Sequence, residues 1–442
     1  MLDPIYKLLG LNKESSLAQY LIKGSSASFF IQILFIGISF ISTVIAANIA
    51  GSAEYGRYTA IMAWLNIMVV FALAGNQVLA IREVAKYQST GQSDVVQTLW
   101  QHTFWRVILC SLLTAIVAWF LLNSIGVINS ENVLLFKMAL IALPMWAVAT
   151  LVTSFLRGSK HIVLSQVPDK IVRPIGFFLL ISIAWLFFNK INAEHIFQIQ
   201  LVLLVFLLIT AFYLLNKKES WVFKTNGDNS YVKGWSAMGY VFLFQGVIQI
   251  ANGKIDILTL DYYRTDSEVG IYSIALKIAD LLIIILFIVN IVIAPEIAGL
   301  FNNGRMEKLQ LLLKRSIQIT FAISIPIALF LIIGGKWILS YFGEDFILGY
   351  PILVLVVLVQ LINVGVGSVG CVLNMTGHEN EASYGLFISL AVNLVLNFFL
   401  VPTMGMIGAA IASGASIVVW NIIMWISVKR KLGINTSVIN FK

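Results

Sequence analysis

Apolar stretches such as "LLIIILFIVNIVIA" (281–294) recur from one end of this 442-residue chain to the other, many of them about 20 residues long. That length is what a helix needs to cross the hydrocarbon core of a bilayer. A soluble domain cannot carry so many such runs, because its surface would lack polar cover. Composition agrees: 59% of the residues are hydrophobic, 11% are charged and the mean hydropathy is +0.92. The runs are continuous and do not alternate, which excludes a transmembrane β-barrel. The chain reads as an all-α polytopic membrane protein.

Twelve spans are expected, centred on about 25–47, 58–81, 103–125, 133–156, 162–188, 195–215, 234–260, 271–300, 314–335, 348–375, 382–400 and 405–428. The connections are mostly short. The longest polar one, Asn216 to Gly234, divides the chain almost in half. The expected organisation is therefore a first six-helix lobe over 1–215, a linker over 216–233 and a second six-helix lobe over 234–442. Lys and Arg set the orientation. Nineteen of the 29 fall on the side of the N-terminus, against Arg57, Lys190, Arg264 and Lys336 on the other. Both termini are expected in the cytoplasm. The net charge of +8 is this topology signal and not a nucleic-acid footprint. The start, "MLDPIYKLLGLNKESS", lacks the basic, apolar and small-residue succession of a signal peptide and reads as a short interfacial helix.

Little else in the sequence suggests chemistry. Cys110 and Cys371 lie in expected spans and imply neither a disulfide framework nor a thiolate metal site. His102, His161, His195 and His378 are scattered. No HExxH, Walker or dinucleotide-binding context appears, and "GVGSVG" (365–370) sits inside an apolar run, where it reads as close helix packing. No metal and no cofactor is expected.

The two halves resemble each other. Glu54, Gly56 and Tyr58 recur as Glu268, Gly270 and Tyr272, Glu83 as Glu296, and Gly158 as Gly377, at nearly one offset. An even number of spans per half means that both halves enter the membrane in the same direction. Such parallel repeats are related by an axis along the membrane normal and place a substrate path between the lobes.

These motifs carry a resemblance to a known family. "NLVLNFFLVPTMGMIGAAIASGAS" (393–416), with its Asn-x-x-x-Asn, following Pro and GxxGAAIA, resembles the last two helices of the polysaccharide-biosynthesis flippases. These belong to the superfamily of multidrug, oligosaccharidyl-lipid and polysaccharide exporters. "SEVGIYSIALKIAD" (267–280) and "DKIVRPIGFFLL" (169–180) fit the same family's seventh-to-eighth helix junction and fifth helix. The resemblance implies two six-helix bundles in a V and the flipping of an undecaprenyl-diphosphate-linked oligosaccharide, of O-antigen type, across a bacterial inner membrane. A polysaccharide polymerase and a chain-length regulator would be its neighbours in lipopolysaccharide assembly. Relatives that flip the peptidoglycan precursor have about fourteen spans, and this chain has no room for the extra pair.

Charges inside spans are the candidate site residues, because each costs about 2.5–3.5 kcal/mol on insertion and needs a partner or a wet cavity. Lys277 and Asp280 lie three apart on one helix face. Either they neutralise each other or Lys277 reaches up to the interface, or else Lys277 lines the cavity and meets a diphosphate with Asp280 tuning it. Asp169 and Arg173 lie four apart between Pro168 and Pro174, where the helix is expected to loosen. They form either a structural pair or an entry site for the lipid diphosphate. Lys254 and Asp256 are about 200° apart on a smooth helix. Lys254 is the candidate for a phosphate and Asp256 for a coupling H+ or Na+. Arg106 and Lys137 read as snorkelling cations. The tryptophans read as interfacial belts, with sugar stacking open for one or two of them. Two rivals remain: a drug or small-molecule exporter of the same superfamily, and a membrane polymerase or ligase, which the short outer loops disfavour.

Overall fold

A computed structural model describes residues 16–89, 91–128, 130–188, 190–219 and 232–438, the side chains of 16–29, 89, 232, 233, 291, 292 and 295 excepted. The expected interfacial helix at the N-terminus and most of the expected linker lie outside the described residues. Every regular element among those described is helical. In chain order these are α1 (Ser16–Leu73), α2 (Asn76–Ser89), α3 (Ser93–Ser124), α4 (Val133–Gly158) and α5 (Ile162–Val167). A π turn (Pro168–Val172), α6 (Arg173–Phe187) and α7 (Ala193–Lys218) follow. Then come α8 (Val232–Asn252), α9 (Ile255–Tyr263), α10 (Asp266–Ala279), α11 (Leu281–Asn302) and α12 (Met306–Ser340). A 3-10 turn (Glu344–Gly349), α13 (Tyr350–Val366), α14 (Val369–Met375), α15 (Glu379–Met404) and α16 (Met406–Leu432) complete the chain.

A straight helix of 58 residues would run about 87 Å, nearly three bilayer cores, so α1 has to break. It does so at Gly51, whose φ of +78° is open to glycine. Nine helical stretches among the described residues are long and apolar enough to cross a membrane. The Gly51 break divides one of them into two. Two further pairs, α8 with α9 and α10 with α11, are bent by 55° and 42° and qualify as broken spans. Counted with both bent pairs and the Gly51 break, the described residues hold twelve spans, as the sequence leads one to expect. Large apolar side chains such as Phe120, Leu186 and Ile333 stand exposed on them, which is the ordinary condition of a surface solvated by lipid.

The chain divides into two compact units, Leu21–Ala251 and the part from Asn252 onward. The division falls inside the bent seventh span. The core of the first unit is built on Leu79, Leu99, Leu135, Phe136, Phe155 and Leu204. A core of the second includes Ile297, Leu309, Leu313, Val372, Leu373 and Val428. Small residues bring helices close, as membrane packing favours. A Cβ on Gly408 would stand 2.4 Å from Leu400 O, and one on Gly414 2.8 Å from Val359 Cγ2.

The internal repeat is physical. In the first unit Glu54 Oε2 accepts the Ala193 backbone N–H at 2.8 Å, at the start of α7. In the second, Glu268 Oε2 abuts Gly405, where an added Cβ would lie 2.6 Å away, at the start of α16. Each carboxylate thus faces the positive end of the sixth span of its own unit. The third landmark shifts. His161 N–H bonds Leu156 O at 3.0 Å and His378 N–H bonds Leu373 O at 2.9 Å, two identical helix-ending turns. The counterpart of Gly377 (φ +77°) is therefore Lys160 (φ +64°) and not Gly158. Gly158 instead packs on α2, 2.8 Å from Val84 to a would-be Cβ.

Candidate functional site

The second unit has a polar seam around the start of α9 and the bend between α10 and α11. Asn252 ends α8, Gly253 and Lys254 turn, and α9 starts at Ile255. Asp256, in the first turn of α9, is buried. Its Oδ2 accepts from Tyr272 Oη at 2.6 Å and from Ser413 Oγ at 2.9 Å, and its Oδ1 from the Ile257 N–H at 3.0 Å. Asp280 sits at the bend between α10 and α11 and accepts from Gln360 Nε2 at 3.3 Å. Gln360 Oε1 accepts from Asn363 Nδ2 at 3.2 Å, and Asn363 Oδ1 from Asn421 Nδ2 at 2.9 Å. This chain of amides links the bend to α13 and α16. On α15, Asn393 donates to Asn252 O at 3.5 Å and Ser389 to Asn252 Oδ1 at 3.4 Å. Backbone groups freed by a break inside a membrane need such partners, because no water is there to replace them.

Lys254 and Asp256 both lie within Coulombic range of Asp280. Of the six charges weighed as site candidates in the sequence, Lys254, Asp256 and Asp280 thus lie around this seam. The smooth-helix geometry that separated Lys254 from Asp256 does not hold, because the chain breaks between Asn252 and Ile255. Lys277 is exposed, one turn before Asp280 on α10. The residues that complete the seam, Tyr272, Ser413, Gln360, Asn363, Asn421 and Asn252, are uncharged. Carrying no charge, they do not stand out among the apolar residues of their spans. The available signal was amides and hydroxyls inside apolar runs, which membrane helices use to bond one another.

Arg173 belongs to the first unit. Its N–H closes the π turn on Pro168 O. Pro174 has no N–H and its ring crowds the carbonyl four residues back, so a wider turn is the accommodation. The expected loosening between the two prolines is therefore this turn. Arg173 Nε lies 3.4 Å from Asp169 Oδ1, and its guanidinium sits 4.7 Å from the centre of the Trp146 ring. Nη1 is buried and makes no hydrogen bond to a described group. Tyr58 lies within Coulombic range and accepts from Gln200 Nε2 at 3.2 Å. Next to this, Lys170 donates to Gln32. A guanidinium with a spare donor, set on an indole face and beside a phenol and an amide, can hold an anionic oxygen and a sugar ring together. Among the described residues no group of three His, Cys, Asp or Glu could hold a metal ion.

Comparison with known proteins adds to this picture. The family model described as "Polysaccharide biosynthesis protein" matches residues 21–301, and the one described as MatE matches 237–399. The probable flippase AglR of Haloferax volcanii is 24% identical over 276 residues, covering 62% of this chain and 56% of that protein. The chain thus spans little more than half the length of that curated relative. Among solved structures, a multidrug resistance MATE family transporter of the MOP superfamily, in its inward-facing conformation, superposes with a TM-score of 0.70 at 14% identity, covering 90% of this chain and 94% of that one. The lipid II flippase MurJ, in an inward closed conformation, gives 0.69 at 14% identity, with 92% and 87% covered. At such identity these two similarities concern the fold.

Proposed function

The chain belongs to the polysaccharide biosynthesis protein family, and from that premise we propose that it is a flippase for a polyprenyl-diphosphate-linked oligosaccharide. The observation that carries the reading is Arg173, a guanidinium inside the membrane-spanning unit, seated on Trp146 and with Nη1 left to donate. A diphosphate accepts from such a group, and Trp146 offers a face to the first sugar. Lys254 and Lys277 are the second unit's own candidate cations for a diphosphate, with Asp280 three residues beyond Lys277 to tune it. Asp256 is the proposed coupling site for H+ or Na+. Translocation by alternating access requires no covalent chemistry and no nucleophile.

The finer reading is an undecaprenyl carrier with an O-antigen-type repeat unit, a bacterial inner membrane and cytoplasmic termini. A polymerase and a chain-length regulator would receive the flipped unit. AglR comes from an archaeon, so the carrier lipid is part of what has to be measured. Deleting the gene in its own host and assaying lipid-linked oligosaccharide together with surface glycan does both. Complete repeat units stranded on the cytoplasmic leaflet, with surface glycan lost, are expected, and the stranded species identifies the carrier. Normal glycan with no stranded lipid would remove the proposal. The match to MatE over 237–399 favours a second reading, an ion-coupled exporter of small molecules. That reading predicts altered drug sensitivity in the same deletion strain.

A further inference from the structure

An apolar cavity of 490 Å³ in the second unit is lined by Phe321 of α12, Leu361, Ile362, Gly365 and Val366 at the end of α13, and Ile422 and Trp425 of α16. Ser437 and Val438 close it at one end. Those two residues belong to a strap that leaves α16 at Gly433 (φ +67°) and crosses the ends of the helices. Asn435 exchanges two hydrogen bonds with Gln310, at 2.8 and 2.7 Å, and accepts from Trp425 Nε1 at 3.2 Å. The Val438 N–H bonds Gly365 O at 3.0 Å. The strap thus bounds one end of a half-open apolar pocket, its own polar groups bonded to Gln310, Trp425 and Gly365.

Two exposed cations lie on the lining helices α12 and α16, toward the ends that the strap crosses. Lys429 lies one turn beyond Trp425 and two beyond Ile422, with Nζ 5.2 Å from the centre of the Trp425 ring. Lys314 lies seven residues before Phe321, and so on the same face of α12, two turns nearer the strap. An apolar pocket whose lining helices α12 and α16 each carry an exposed ammonium group toward the strap complements an amphiphile with an anionic head. The volume sets the length of its tail. A 150 Å³ cavity holds one benzene, so this one holds about twenty carbons on that scale. That matches one fatty acyl chain and falls short of a long polyprenyl tail.

We propose that this cavity is a binding site for an anionic phospholipid of the leaflet that the basic ends of the helices face, with one acyl chain between α12, α13 and α16 and the phosphate against Lys314 and Lys429. Anionic headgroups are attracted to juxtamembrane Lys and Arg, and the chamber adds a place for the chain. The site is separate from Arg173 and from the Asp256 seam in its residues, and it stands whether or not the flippase reading does.

The test is photo-crosslinking of the full-length protein in nanodiscs, with phosphatidylglycerol or phosphatidylcholine carrying a diazirine in one acyl chain. Label on peptides containing Phe321 and Trp425, at least fivefold stronger with phosphatidylglycerol, is expected. The K314Q/K429Q pair should bring the two lipids to equal labelling. Ile362→Trp, which fills the chamber, should remove the label from those peptides while leaving it elsewhere. Uniform labelling of all lipid-facing helices with no headgroup preference would overturn the proposal. So would displacement of the label by a polyprenyl phosphate at equimolar amounts, which would assign the chamber to a substrate tail. A gain of label on removing residues 439–442 would equally overturn it, by assigning the chamber to the chain's own end.

Discussion

Asp256 and Arg173 illustrate two opposite uses of a charge inside the membrane. Asp256 is surrounded by three donors within 3.0 Å, so its removal strands hydroxyls. Asp256→Ala leaves the buried Tyr272 Oη and the half-buried Ser413 Oγ without their acceptor and is expected to destabilise the protein by about 2–4 kcal/mol. Adding Tyr272→Phe should recover about 1 kcal/mol of that, because one stranded hydroxyl is gone. Thermal unfolding of the purified variants in detergent reads both values, and strict additivity would mean that the two groups do not interact. Asp256→Asn keeps an acceptor and removes the charge. Unchanged stability with lost surface glycan is the signature of the proposed coupling role, and full activity would end it. Arg173 keeps a donor in reserve, so its substitution should act on transport and not on folding. Arg173→Lys keeps the charge but loses the planar contact with Trp146. Surface glycan should fall at least tenfold at equal protein abundance, as read by glycan staining and immunoblotting of membranes, and wild-type glycan levels would remove Arg173 from the headgroup site.

At the scale of the helices, the breaks position these groups, and the breaks were the part least legible in the sequence. Pro168 and Pro174 announced the disturbance around Arg173, since proline has one local meaning in a helix. Gly51, Gly253 and the bend at Asp280 gave no such notice. A glycine in an apolar run serves a break, a close contact or nothing in particular. Only the packed structure tells these uses apart, as it does for Gly75 and Gly377. Both have positive φ, +75° and +77°. A Cβ on Gly75 would lie 2.1 Å from Gly239 O and 2.8 Å from Leu243 N, both backbone atoms of α8, whereas nothing lies within 4 Å of one on Gly377. Gly75→Ala must therefore push α8 off α1 and α2 and is expected to abolish accumulation of folded protein. Gly377→Ala carries only the left-handed backbone penalty, about 1–2 kcal/mol. Lys160 already bears a side chain at the equivalent turn of the first unit. Fluorescence-detected size-exclusion chromatography of the two variants separates the outcomes. A monodisperse Gly75→Ala protein at wild-type yield would show that α8 does not depend on that contact.

For the whole molecule, the sequence made the membrane class, the span number and the duplication legible, because each rests on a pattern many residues long. It did not make legible which partners the repeated residues choose, because those are set by packing between distant helices. Glu54 and Glu268 are the clearest instance. They occupy one position of the repeat, and each faces the start of the sixth span of its own unit, Glu54 at Ala193 and Glu268 at Gly405. Their surroundings then diverge. Arg57 pairs with Glu54 at 2.9 Å and approaches Glu194 at 3.9 Å. Arg264 turns instead to the end of α15, donating to Val401 O at 3.1 Å and Pro402 O at 2.9 Å. A carboxylate at a helix start contributes about 0.5–2 kcal/mol through the dipole and the N–H groups it accepts. Glu54→Ala and Glu268→Ala should each cost that much. Because the two residues share no described partner and belong to different units, the double variant should lose the sum to within about 0.5 kcal/mol. Unfolding midpoints of the two single variants and the double variant, measured in one detergent, give the comparison. A double variant no less stable than the weaker single would mean that the units unfold independently, the weaker one setting the midpoint. A loss well beyond the sum would mean that the two helix starts are coupled through the chain that joins the units.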